Sequence, residues 1–157
     1  MVQLKVDIVD LPAMRVASAL GFGKEPETQA WEMIRAFAEK AGIDQRAEEN
    51  FTYGFNNPNP SPGSENYGYE IWLPVDSSVE AVEPVRIKQF PGGKYATTRF
   101  TGLSNIGRVW KELVAWVEDS PYAFGPNCCQ CLEKALSPFE QDIEEWVFEL
   151  YLSVAES

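Results

Sequence analysis

The sequence predicts an antiparallel α+β fold: two pseudo-symmetric βαββ units forming a curved sheet, with two main helices. Three observations predict it. The 157-residue chain matches itself, without gaps, at an offset of 79 residues. Val6 falls on Val85, Ile8 on Ile87, Pro12 on Pro91, Ala17 on Ala96, Gly23 on Gly102, Trp31 on Trp110, Glu70 on Glu149, Leu73 on Leu152 and Val75 on Val154. Tryptophan is a rare residue, and the Pro and Gly matches fall where turns are expected, so the matched types outweigh their number. Each copy, 1–78 and 79–157, also holds one stretch whose apolar residues recur at helical spacing. Short alternating runs flank that stretch, as strands of a half-covered antiparallel sheet do.

The elements follow in order. Each copy opens with a short alternating run, Lys5 to Val9 and Val85 to Gln89, and a Pro-containing turn. A second run covers Arg15 to Phe22 and Lys94 to Thr101. In the first copy Ala30, Ile34, Phe37, Ala38 and Ala41 lie on one helical face, and Gly42 ends the helix. In the second copy Ile106, Val109, Trp110, Leu113, Trp116 and Val117 form the stripe; Ser104 or Asn105 can cap its start and Pro121 stops it. Two extended runs close each copy. Phe51 to Phe55 and Tyr67 to Val75 are separated by a loop rich in Pro, Asn, Ser and Gly. Cys129 to Glu133 and Trp146 to Val154 occupy the same places. The segment CLEKALSPFEQDIEEW also reads as helix, and only the repeat argues for a strand near Cys131.

Composition narrows the function. Hydrophobic residues make up 45% and charged residues 24%, which suits one folded domain. A net charge of −11 argues against nucleic acid, whose phosphates need a Lys/Arg surface, and against an anionic membrane. No apolar run is long enough to span a bilayer, and the N-terminus lacks the apolar core of a signal peptide, so a cytoplasmic protein is expected. There is no histidine, which excludes Ser-His-Asp and Cys-His triads and His-ligated zinc; proton chemistry would fall to carboxylates, tyrosines or lysines. Cys128, Cys129 and Cys131 lack a fourth ligand, so neither metal nor disulfide is expected. Gly92–Gly93 is a turn rather than a phosphate loop, and no cofactor motif is present. Glu140 to Glu145 reads as solvated surface.

Strand alternation locates the candidate site. In the run around Glu70, Tyr69, Ile71 and Leu73 share one face, Glu70 and Trp72 the other. In the last run, Phe148, Leu150 and Leu152 share one face, Glu149 and Tyr151 the other. The aliphatic faces belong under the helices. The opposite faces repeat one constellation, a carboxylate two residues before a large aromatic, which suits a lipophilic cation met by charge and ring faces. A lone acid on a strand is commonly plain surface; the repetition favours Glu149 as a site residue. Trp31, Trp110 and Trp116 lie on helix stripes, which favours the core.

The paired units, the segment FPGGKYATTRFTG, the helix VWKELVAWV and the final EEWVFELYLSV resemble the GyrI-like small-molecule-binding domain. That domain is also the effector-binding half of multidrug-responsive bacterial regulators of the AraC and MerR kinds. FTYGFNNPNPSPGSENYGYEIWLPV looks most like the stand-alone, integron-associated branch, and the resemblance covers almost the whole chain. It implies a groove between two βαββ units, with Glu149 facing it and attracting cationic drugs or dyes, and Trp72 and Tyr151 as aromatic walls. Glu70, Tyr95 and Trp110 complete the candidate ligand contacts. No helix-turn-helix is expected, hence no DNA binding by this chain. The expected function is binding of hydrophobic, cationic aromatic small molecules, with no cofactor and no metal. Relatives imply two alternatives. One is a hydrolase of cyclopropane-bearing alkylating compounds, with Glu149 as base or orienting a water and Tyr151 assisting; a raised Glu pKa would equip it as a base. The other is a protein-interaction role such as gyrase inhibition. The sequence names neither the natural ligand nor a protein partner.

Overall fold

The computed structural model describes residues 4–44, 47, 50–56, 61–125, 131–136 and 142–156. The chain divides into two compact units, Met14–Phe90 and Met1–Ala13 with Pro91–Ser157. Each is an antiparallel sheet with one α-helix on one face, and the α+β expectation holds.

In the Met14–Phe90 unit the elements are β2 (Met14–Gly23), α1 (Pro26–Ala41), β3 (Tyr53–Asn56), β4 (Tyr67–Pro74) and β5 (Arg86–Phe90). The strand order is β3-β4-β2-β5. Helix α1 starts with Pro26, whose missing N–H is no loss in a first turn, and carries Glu27 and Lys40 at the ends their charges favour. Gly42 ends it in the left-handed region at φ 73°, its N–H turned back to the carbonyls of Ala38 and Glu39. The predicted stripe is the buried one: Ala30, Ile34, Phe37 and Ala38 cover Ala17, Ala19, Ile71 and Leu73, with Val85 completing the core. Trp31 packs against that cluster.

In the other unit the elements are β1 (Asp7–Leu11), β6 (Gly93–Thr101), α2 (Ile106–Glu118), β7 (Tyr122–Phe124), β8 (Cys131–Ala135) and β9 (Val147–Glu156). The order is β1-β6-β9-β8, and β7 pairs with the end of β9. Helix α2 buries Val109, Leu113 and Val117 and packs on β6 and β9. Neither expected capping side chain caps it. Asn105 donates to the Thr101 carbonyl and Ser104 donates to Glu144, because a short 3-10 turn, Leu103–Asn105, precedes the helix. The strand at Cys131 is present; Cys128, Cys129 and residues 137–141 lie outside the described residues. Strand β7 was not foreseen, since three residues after Pro121 are too few to show an alternation.

One expectation is corrected. The opening strand of each sequence half does not join its own half. β1 pairs with β6, and β5 pairs with β2. The links β1–β2 and β5–β6 are Pro12–Ala13 and Pro91–Gly92. Tight hairpin turns of the favoured kinds need φ > 0 at their first central residue, which proline's ring forbids. A two-residue hairpin of either favoured kind is therefore ruled out at both links. The pairing register nonetheless recurs at an offset of 79. Ser18 faces Trp72 and Thr97 faces Tyr151; Tyr53 faces Trp72 and Leu132 faces Tyr151; Arg15 faces Gln89 and Lys94 faces Asp10.

Candidate functional site

In both units the glutamate lies on the sheet face turned away from the helix, as the alternation predicts. The two glutamates have different surroundings.

In the Met14–Phe90 unit, directly paired residues share a face, so Glu70 and Trp72 on β4 stand with Leu20 and Ser18 on β2 and Phe55 and Tyr53 on β3. Lys88 and Phe90 reach the same face through Val16 and Met14. Glu70 is only 1% exposed. One of its oxygens, Oε2, accepts three donors: Ser18 Oγ at 2.6 Å, Trp72 Nε1 at 2.6 Å and Lys88 Nζ at 2.8 Å. The Trp72 ring meets Phe55 edge-on at 4.9 Å between centroids and Phe90 at 5.4 Å. A buried carboxylate is tolerable only when paired and hydrogen-bonded, and Glu70 is both.

In the other unit, Glu149 and Tyr151 on β9 stand with Arg99, Thr97 and Tyr95 on β6, with Asp7 and Val9 on β1, and with Lys134 and Leu132 on β8. The Glu149 side chain is 18% exposed. Tyr151 donates its hydroxyl to Oε1 at 2.7 Å, and Arg99 Nη2 meets Oε2 at 2.8 Å. Burial pushes the Glu149 carboxyl up, but Tyr151, Arg99 and the more distant Lys134 outweigh it and hold the group below the usual carboxylate range. Tyr95 is fully buried and meets the Tyr151 ring edge-on at 6.2 Å. A cavity of about 370 Å³ lies beside Glu149, lined by Lys5, Asp7, Thr97, Thr98 and Arg99. The Thr97 hydroxyl is buried there and, among the described residues, finds no hydrogen-bond partner.

Five of the six candidate ligand residues thus fall on helix-free faces: Glu70 with Trp72 in one unit, Glu149 with Tyr95 and Tyr151 in the other. Trp110 does not. It stands on α2, and its indole donates to Glu133 at 3.0 Å, a residue paired with Leu150 on the covered face. Lys88, Arg99 and Thr97 were missed as site residues. All three could have been read from β-alternation, had the pairing partners been known. Among the described residues, no three His, Cys, Asp or Glu side chains cluster as a metal site, and no helix is long and apolar enough to cross a membrane.

The fold recurs among solved structures. The EcmrR–DNA complex within an EcmrR transcription open complex matches over 100% of this chain and 59% of EcmrR, with a TM-score of 0.80 and 15% identity. A structure described as a hydrolase from Listeria innocua matches over 99% and 94% of the two chains, with a TM-score of 0.70 and 14% identity. SAV2435 bound to tetraphenylphosphonium matches over 97% and 94%, with a TM-score of 0.56 and 11% identity. At such identities the likeness establishes the fold alone. In sequence, the SPbeta prophage-derived protein YosT of Bacillus subtilis (strain 168), named as a transcriptional regulator, is 24% identical over 94 residues. That match spans 59% of this chain and 63% of YosT. The α+β architecture, the paired units and a match of residues 7–154 to the family model converge: the chain belongs to the Cass2 family of integron-associated effector binding proteins.

Proposed function

We propose that this protein binds hydrophobic aromatic small molecules, cations among them, and that Glu149 meets the ligand's charge. The observation that carries this reading is the Glu149 site. A largely buried carboxylate accepts from Tyr151, whose ring meets Tyr95, and lines a cavity of about 370 Å³. The Arg99 partner is 65% exposed. The guanidinium end of the pair lies in solvent while the carboxylate is largely buried, so a ligand cation can compete for the guanidinium's place. SAV2435, of the same fold, is described with tetraphenylphosphonium bound, a cation of this class. The 79-residue recurrence of pairing supports a duplicated unit as the origin of both glutamate sites. The net charge of −11 turns the protein away from nucleic acid and anionic membrane, and a cytoplasmic setting accords with it.

In the hydrolase reading Glu149 would be a weak general base, since its carboxyl is held below the usual range, while orienting a water needs no raised pKa.

Titration calorimetry of the parent and Glu149→Gln with tetraphenylphosphonium and with neutral triphenylphosphine oxide tests the proposal. A charge-assisted contact contributes about 1.5–3 kcal/mol, so the cation should weaken by roughly tenfold or more and the neutral compound far less. Equal losses for both, or none, would make Glu149 a surface carboxylate with no part in binding.

A further inference from the structure

We propose that Lys88 is a tethered counter-ion that closes the Glu70 site to external cations, and that the site beneath it is a latent aromatic-cation site. The proposal deepens the ligand reading above by assigning different roles to the two glutamates. The Glu70 face has the parts such a ligand needs: a buried carboxylate, the Trp72 ring bonded to it through its indole N–H, and Phe55 and Phe90 against that ring. The charge is already met. The Lys88 ammonium lies 2.8 Å from Oε2, and its side chain is 45% exposed while Glu70 is 1% exposed. A cation that replaced Lys88 would have to break a hydrogen-bonded pair whose acid is out of solvent, then match its geometry.

The other unit serves as an internal control. The residue one offset from Lys88 is Val9. Lys88 faces Val16 and Val9 faces Tyr95, so the two positions are equivalent in register. Valine carries no charge toward Glu149. The cations there are Arg99, whose counterpart is Leu20, and the more distant Lys134, whose counterpart is Phe55. Glu149 is therefore paired from an exposed side chain, and Glu70 by a lysine drawn onto a buried acid. Both carboxylates are met by their own chain at 2.8 Å, but Glu149 is 18% exposed and Glu70 1%, so the Glu149 pair is the one an outside cation can reach.

The test is made in a Glu149→Gln background, so that the first site contributes no charge and its own outcome does not enter. Lys88→Gln in that background should gain roughly tenfold or more in tetraphenylphosphonium affinity, and triphenylphosphine oxide should change little. Adding Glu70→Gln should abolish the gain. No gain, an equal gain for the neutral compound, or a gain that survives Glu70→Gln would overturn the proposal. Lys88→Gln also strands a buried carboxylate and can lower stability. A second measurement therefore uses the intact chain: the Lys88 ammonium should give a slowly exchanging ¹⁵N signal at neutral pH that saturating tetraphenylphosphonium leaves in place. Its displacement would mean that the site is open.

Discussion

Glu149 keeps its charge because two donors reach it from its own sheet face, Tyr151 two residues along the strand and Arg99 across it. This has a consequence for pH. A carboxyl lowered in the folded state binds its proton more weakly there than in the unfolded chain. The stabilisation is thus present above the unfolded value, about 4.3 for glutamate, and is lost as pH falls through the lower folded value. Carbon-detected NMR should place the Glu149 midpoint below about 4.3. Arg99→Ala should raise it by removing the guanidinium, and Tyr151→Phe should raise it by removing the hydroxyl. A Glu149 midpoint at or above the ordinary value in the parent would contradict this account of the site. Tyr67 shows the opposite case on the helix-covered face of the Met14–Phe90 unit. Its hydroxyl donates to Glu27 on α1, and burial with that neighbouring carboxylate pushes its pKa up to about 12. The contact is therefore fully present below about 10 and lost only as pH rises through the folded value.

At the level of elements, the turn between β5 and β6 sets the start of β6, and through β6 the placing of Tyr95, Thr97 and Arg99. Gly92 there has φ 80°, a conformation that L side chains rarely adopt. A Cβ on it would lie 2.5 Å from the Leu11 carbonyl oxygen and 2.9 Å from the Ala13 nitrogen, both backbone atoms that cannot swing away. Gly63 has the same φ of 80° and nothing within 4 Å of its would-be Cβ. Gly63→Ala should therefore cost only the backbone strain, about 1–2 kcal/mol. Gly92→Ala carries that strain and the clash, and should cost more, with a larger fall in Tm by calorimetry. Equal costs would show that β1 yields without penalty and that the close approach has no energetic weight.

Across the whole molecule, the compact units and the sequence halves are different divisions of the chain. A fragment 14–90 keeps every pairing of β2 with β4 and β5 and the Val85 contribution to the α1 core. A fragment 1–78 carries β1 without its partner β6 and lacks both β5 and Val85. Circular dichroism should show cooperative thermal unfolding for 14–90 and a broad, non-cooperative change for 1–78. The reverse order would mean that the strand exchange contributes nothing to either unit's stability.

The sequence by itself determined the helices and the strand faces. Period 3.6 picks out Ala30, Ile34 and Phe37; period 2 separates Glu70 and Trp72 from Ile71 and Leu73; identities at one offset mark positions whose strand pairing also recurs. These are local properties, and local patterns survive in any tertiary arrangement that buries the apolar side. Only the tertiary structure decided which strands meet. A strand's edge carries the same backbone donors and acceptors whatever its neighbour, so nothing in Lys5 to Val9 says that it pairs with β6 and not with β2. Partner choice in turn decided the electrostatics. Lys88 neutralises Glu70 because β5 lies beside β2. Glu149 is met by Arg99, and β1 brings the uncharged Val9 to the place equivalent to Lys88. Trp110, on the α2 stripe that favours the core, donates to Glu133 on the other side of the sheet from Glu149.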